Sequence, residues 1–114
     1  MHKSVAPTGP EKVITKNNPN SFRETELMDY LKENNISNLV ITGMMTDVCV
    51  AATTRAAMDL GFENTIISDA VTTRNRELHG KSLPANRVTE TYLAGLNVLG
   101  GLYSKVESTE DFLK

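Results

Sequence analysis

The feature that most constrains this chain is an apolar run closed by glycine and followed at once by an alanine-rich run. The stretch "NLVITG", from Asn38 to Gly43, predicts a strand buried on both faces. The stretch Val48–Leu60 contains neither Gly nor Pro, so it predicts a helix, and Gly61 suits the C′ position after it. A strand, a turn and a helix in this order form the repeating unit of an α/β fold.

The rest of the chain continues this alternation. Short apolar or β-branched runs predict three further strands, at Lys12–Lys16, Asn64–Ala70 and Leu102–Val106. Helical spacing predicts a helix within Phe22–Asn34, a helix opened by Pro84 with Val88, Tyr92, Leu96 and Leu99 on one face, and a short C-terminal helix capped by Ser108 or Thr109. The stretch Val71–Leu83 shows no clear period and is predicted as a loop. The alternation predicts a mostly parallel sheet with helices on its faces.

Length and composition exclude several classes of protein. The 114 residues suit one domain, residues 1–114, and the net charge of −2 is spread along the chain without the basic patch of a nucleic-acid-binding protein. No apolar run reaches the roughly 18 residues of a membrane span, and the N-terminus lacks the apolar stretch of a signal peptide. One cysteine cannot form an internal disulfide, which fits a cytoplasmic protein.

Several chemically useful groups are expected at one edge of the sheet. Ligands of parallel α/β sheets bind beyond the carboxyl ends of the strands. Lys16, the loop Gly43–Cys49 and Asp69 all fall at such ends in the predicted arrangement. The sequence therefore predicts a ligand or catalytic site there.

Cys49 is the candidate nucleophile at this edge. Thiols in the first turn of a helix ionise more readily than free thiols, and the free backbone N–H groups there can hold an oxyanion. Lys16 is its candidate partner, because an ammonium group stabilises a nearby thiolate. The alternatives are that Cys49 is a small buried apolar residue and Lys16 a solvated surface lysine.

Other polar residues have simpler interpretations. Asp69 reads as a turn or cap residue, and Thr46 and Asp47 read as helix N-caps. The pair Met44 and Met45 is core or pocket wall. The two histidines and the cysteine lie far apart in sequence, so no metal site is predicted.

The stretch "VITGMMTDVCVAATTRAAMDLGFENTIISDAVTTR" resembles the signature of the isochorismatase-like cysteine hydrolases. The similarity runs from about Lys12 to the C-terminus, and its most specific part is G-x-x-T-x-x-C-V, from Gly43 to Val50. It implies a three-layer α/β/α sandwich around a mostly parallel, Rossmann-like sheet. It also implies a homo-oligomer that acts on a small molecule without a cofactor.

The resemblance also implies roles for particular residues. Cys49 matches the nucleophile and Lys16 the lysine of an Asp–Lys–Cys triad. A cis peptide bond would join Met44 to Met45, and the N–H groups of Met45 and Cys49 would form the oxyanion hole. Thr46 and Asp47 would shape the loop.

The implied reaction is hydrolysis of an amide or related C–N bond through a thioester on Cys49. The metal site of nicotinamidases has no counterpart in this chain. Arg74 and Arg76 are candidate contacts for an anionic substrate.

The resemblance is incomplete at the N-terminal end. The family's catalytic Asp ends a strand that lies some tens of residues before the lysine, yet no Asp precedes Lys16 here. The expectation is therefore a domain truncated at its N-terminus, a short form completed by a partner subunit, or a degenerate member. Two functions follow: a cysteine hydrolase, or a binding or assembly subunit without catalysis. A redox-active thiol protein is a third and weaker alternative, because it would usually carry a second, resolving cysteine, and this chain has only Cys49.

Overall fold

The α/β fold is built on a parallel sheet, and the computed structural model describes residues 2–114 of the chain. A 3₁₀ turn spans Lys3–Val5 and a π-helical turn spans Thr46–Val50. The helices are α1 (Leu27–Glu33), α2 (Ala51–Asp59), α3 (Ala85–Leu96), the short turn α4 (Val98–Gly101) and α5 (Thr109–Phe112). The strands are β1 (Asn38–Met44), β2 (Glu63–Thr72), β3 (Arg76–Leu78), β4 (Lys81–Leu83) and β5 (Lys105–Glu107).

The main sheet is parallel and has the order β1–β2–β5, with β2 in the centre. Its register is irregular near the end of β1. From Ile41 to Gly43 the first strand advances by two residues, whereas its partner β2 advances by five, from Ile66 to Val71. The end of β2 is therefore carried beside Gly43 and the loop that follows it.

The core lies where the helices α2 and α3 cover β2. Five buried side chains form it: Val50, Ala51, Ile66, Leu93 and Leu96. Ile41 and Val106, the neighbours of Ile66 in the adjoining strands, pack against this cluster while partly exposed. The predicted α/β class with a mostly parallel sheet is confirmed.

Two predicted elements differ at the N-terminal end. Lys12–Lys16 is not a strand, because no described strand pairs with it and a strand needs a ladder of hydrogen bonds. The first helix begins only at Leu27 and ends at Glu33, not across Phe22–Asn34. The Thr25 hydroxyl donates to the carbonyl of Ser21 at 2.6 Å, and such local bonds compete with a helix.

The predicted burial of β1 on both faces is wrong. Among the described residues β1 pairs only with β2, and Val40 and Met44 are 51% and 57% exposed. The sequence pattern did not show that β1 would be an edge strand in this chain.

The region predicted as a loop contains a hairpin. Strands β3 and β4 are antiparallel and turn at His79 and Gly80, which both have positive φ (51° and 76°). Two residues of this kind form the primed turns that match the twist of a hairpin.

The predicted apolar face of the helix after Pro84 is only partly buried. Val88 and Leu96 are buried, as expected, but Tyr92 is 40% exposed and Leu99 86% exposed. Leu99 lies beyond the end of α3 with a positive φ, so it leaves the face that the other residues share.

Candidate active site

Cys49 lies in the helical turn that follows β1. The π-helical turn Thr46–Val50 runs directly into α2, and the N–H of Val50 bonds to the carbonyl of Met45 at 3.1 Å. The first N–H groups of a helix have no acceptor within it. Cys49 is half-buried, so its thiol lies in the first turn of this helical segment and is not enclosed in the core.

The loop before this turn has the form that the resemblance implied. The peptide bond between Met44 and Met45 is cis. The carbonyl of Met45 accepts from Val48 and Val50, both at 3.1 Å. Met45 is thereby tied to the turn that carries Cys49.

Lys16 and Cys49 line the same small pocket, of about 150 Å³. Its other lining residues are Ser21, Ile41, Thr42, Met44, Val50 and Thr53. The ammonium of Lys16 donates to the carbonyls of Asn18 at 2.8 Å and Pro19 at 3.1 Å. Two of its three donors are thus used to hold it in place, and one is left.

Thr53 anchors the segment that carries Lys16, and the sequence interpretation did not include it. The hydroxyl of Thr53 accepts from the N–H of Ser21 at 3.0 Å and lies 3.2 Å from the carbonyl of Pro19. Thr53 follows Cys49 by four residues, so both lie on one side of the helical segment. That spacing was the available signal.

Asp47 takes part in an ion pair and not in an N-cap. Nε of Arg76 donates to Oδ2 of Asp47 at 2.7 Å, and Nη2 donates to Oδ1 at 3.2 Å. The hydroxyl of Thr73 also donates to Oδ1. The side chain of Asp47 is only 9% exposed and that of Arg76 33%.

This pairing shifts both acid–base equilibria. The hydrogen bond from Arg76 lowers the pKa of Asp47 below its ordinary value of 3.8, and burial opposes this effect without cancelling it. The hydrogen bond to Asp47 in turn raises the pKa of Arg76. The pair is therefore charged throughout the neutral range.

Thr46 does not have the N-cap role that the sequence suggested, and Asp69 lies within β2 and not at its end. Thr46 is fully buried, is not an N-cap, and its hydroxyl lies 3.2 Å from that of Thr89 in α3. Asp69 does not line the Cys49 pocket. It accepts from the N–H and the hydroxyl of Thr109, at 2.8 and 2.9 Å, and these bonds lower its pKa. Its interpretation as a structural residue is the one that the contacts support.

The candidate substrate arginines also lie outside this pocket. Arg76 is engaged with Asp47, and Arg74 is exposed; neither lines the space beside Cys49. Among residues 2–114, no group of three or more His, Cys, Asp or Glu side chains is arranged to hold a metal ion. No helix in the same residues is long and apolar enough to cross a membrane.

Fold and site together define an α/β protein with a single thiol in the first helical turn after a parallel strand, beside a lysine. The family model of the isochorismatase domain matches residues 1–95. The chain belongs to the isochorismatase family.

The relatives that this chain matches are longer than the chain itself. It is 40% identical over its whole length to an uncharacterized isochorismatase family protein of Bacillus subtilis, YddQ, and spans 62% of that protein. It is 29% identical to an isochorismatase of Pseudomonas putida of known structure, with a TM-score of 0.88 over 94% of this chain and 54% of the other. It is 34% identical over 67% of its length to Nicotinamidase 3 of Arabidopsis thaliana, of which it spans 38%.

Proposed function

We propose that this chain carries the nucleophile of a cysteine hydrolase that cleaves an amide or related C–N bond of a small molecule. The observation that carries the proposal is the shared pocket of Cys49 and Lys16. Membership of the isochorismatase family supports it, and so does similarity to a protein named a nicotinamidase.

In this proposal the thiolate of Cys49 attacks the carbonyl carbon of the substrate. The carbonyl π electrons move to oxygen, and the N–H groups of Met45 and Cys49 stabilise the resulting oxyanion. The ammonium of Lys16 stabilises the thiolate by its opposite charge. Collapse of the intermediate breaks the C–N bond, and the leaving nitrogen takes up a proton equivalent to the one that the thiol lost. Water then attacks the thioester carbonyl, the C–S bond breaks, and the carboxylic acid leaves while Cys49 is restored.

Proton transfer needs a group that the described residues do not bring to the pocket. The eight residues that line it include no carboxylate and no histidine. The thiol proton must therefore pass to solvent, or to a group outside residues 2–114. The reaction needs no cofactor, because each step moves only protons and acyl groups.

Alkylation of Cys49 tests the site directly, because the chain has one cysteine. We expect iodoacetamide to modify the native chain faster at neutral pH than the urea-unfolded chain. Lys16→Met should slow the native reaction. The matched control is Lys12→Met, since Lys12 lies beside Glu26 and outside the pocket. Equal rates for the native and unfolded chains would refute the nucleophile assignment.

A second candidate function is a binding or assembly subunit of the same fold without catalysis. The absence of a carboxylate among the lining residues favours it. Incubation with nicotinamide and other small primary amides separates the two, with release of ammonia and an acyl adduct on Cys49 as readouts. A reactive Cys49 that yields neither product supports the binding subunit. We further expect a homo-oligomer in the cytoplasm, which light scattering and cell fractionation would test.

A further inference from the structure

We propose that Arg76 and Asp47 are a positioning pair. Through this pair the β3–β4 hairpin holds Met45–Asp47, which we call the Met45 loop, and the turn Thr46–Val50 that carries Cys49. The inference rests on the proposed function and deepens it, because the pair acts on the groups assigned to the oxyanion and not on the reacting atoms.

One side chain contacts both ends of the loop. Arg76 holds the carboxylate of Asp47 with two N–H groups, at 2.7 and 3.2 Å, and its Nη2 lies 3.4 Å from Sδ of Met45. A fork of two donors on one carboxylate fixes direction as well as distance. Met45 supplies one proposed oxyanion donor, and Asp47 stands two residues before Cys49.

A third group restricts the pair further. The hydroxyl of Thr73 donates to Asp47 and lies 3.2 Å from Nη2 of Arg76. The carboxylate is nearly buried, so it has exchanged water for these three donors. Movement of the loop would break several of these bonds at once.

The irregular register of the sheet explains how the hairpin reaches the loop. Because β2 advances further than β1, Val71 and Thr72 pair with Gly43 and Met44. Thr73 follows Thr72 directly, and Arg76 begins β3 three residues later. Both side chains donate hydrogen bonds to Asp47. The hairpin is thus attached where the loop leaves β1.

The position of Arg76 distinguishes this role from substrate binding. Its side chain lines a separate pocket of about 250 Å³ between the hairpin and α3, together with Leu83 and Tyr92. It does not line the space beside Cys49. Arg76 therefore acts through Asp47 and Met45.

The test measures alkylation of Cys49 by iodoacetamide against pH, at a temperature where each variant is folded by circular dichroism. Arg76→Met and Asp47→Asn should each slow the reaction by roughly tenfold or more, since small displacements of reacting groups have effects of that order. Arg76→Lys should recover part of the rate. Arg87→Met is the matched control, because Arg87 lines the same pocket without contacting Asp47, and it should leave the rate unchanged.

Arg76→Met leaves a carboxylate without its partner, so this variant is the one most exposed to unfolding. The double variant D47N/R76M removes both charges, and we expect it to react no more slowly than the slower single variant. Hydrogen exchange of the backbone amides of residues 46–50 should be faster in Arg76→Met and in D47N/R76M than in the wild type.

The outcomes separate the two proposals. A fast wild-type reaction that the variants leave unchanged overturns the positioning pair alone. A wild-type reaction no faster than that of the unfolded chain overturns both proposals. A loss of rate in Arg87→Met equal to that in Arg76→Met would also overturn the pair, because it would reflect a general effect of the pocket.

Discussion

Strands β1 and β2 each contain an apolar run, with Ile41 and Ile66 in register, but the two runs differ sharply in their surroundings. In β2, Ile66 is fully buried, with β1 and β5 on either side and helices above. In β1, Val40 is half exposed, and among the described residues only one edge of the strand is paired. An apolar strand sequence therefore predicts burial, but the neighbouring elements decide whether the strand is in fact buried. Both strands nevertheless end side by side, just before the turn that carries Cys49.

The largest expected difference is in the free energy of unfolding that is lost when one side chain of each strand is shortened to alanine. Ile66→Ala should reduce the free energy of unfolding by about 2–5 kcal/mol, because it leaves a cavity in the core. Val40→Ala should cost about 1 kcal/mol or less, as exposed positions do. The matched substitution Ile41→Ala, in the register partner of Ile66, should fall between them. Urea unfolding measures all three.

The comparison would fail if Val40→Ala were as costly as Ile66→Ala. Such a result would mean that another molecule covers β1 in solution. The cost should then fall on dilution, because an association partner stabilises by mass action.

A smaller difference is expected at the polar residues of the two strands. Asn64 in β2 is buried, and its Nδ2 donates to the carbonyl of Tyr103 at 3.0 Å and lies 3.4 Å from that of Thr54. Asn64→Ala should reduce the free energy of unfolding by about 1–3 kcal/mol, because the carbonyls of Tyr103 and Thr54 lose this donor. Asn38→Ala, at the exposed start of β1, should change stability by about 0.5 kcal/mol or less. Equal costs in urea unfolding would contradict the difference.

The smallest effect concerns acid stability. The pKa values of Asp47, just after β1, and Asp69, within β2, are both lowered, by Arg76 and by Thr109 respectively. A carboxyl with a lowered pKa in the folded state stabilises the fold above its unfolded value and loses that contribution as the pH falls through the folded value. Below about pH 4, wild-type stability should therefore fall more steeply than that of Asp47→Asn or Asp69→Asn.

The two carboxyls should differ in size of effect. Asp47 is nearly buried and bonded to a guanidinium, whereas Asp69 is exposed, so Asp47→Asn should flatten the acid limb more. Chemical unfolding at a series of pH values measures this. An acid limb that is steeper in Asp47→Asn than in wild type would have the wrong sign for a lowered pKa.

Local patterns predicted the elements that carry a continuous apolar run or an unbroken helical run. The glycine-closed run of β1, the Gly-free run that became α2 and the helix after Pro84 all formed near their predicted bounds. Lys12–Lys16 failed because a strand depends on a partner that its own residues do not supply. The hairpin at His79 and Gly80 was missed because strands of three residues show no measurable period.

Lys16 was indicated by a predicted strand at Lys12–Lys16 that the structure does not contain, and by the resemblance. The sequence by itself determined the α/β class and the place of Cys49 in the first turn after β1. These follow from short-range chemistry: apolar runs, turn residues and a helix start. Only the tertiary structure decided that Asp47 pairs with Arg76, that Asp69 binds Thr109, and that Thr53 holds the segment of Lys16. Such contacts join residues some 30 or 40 positions apart, and they depend on the sheet's register, which no local pattern encodes.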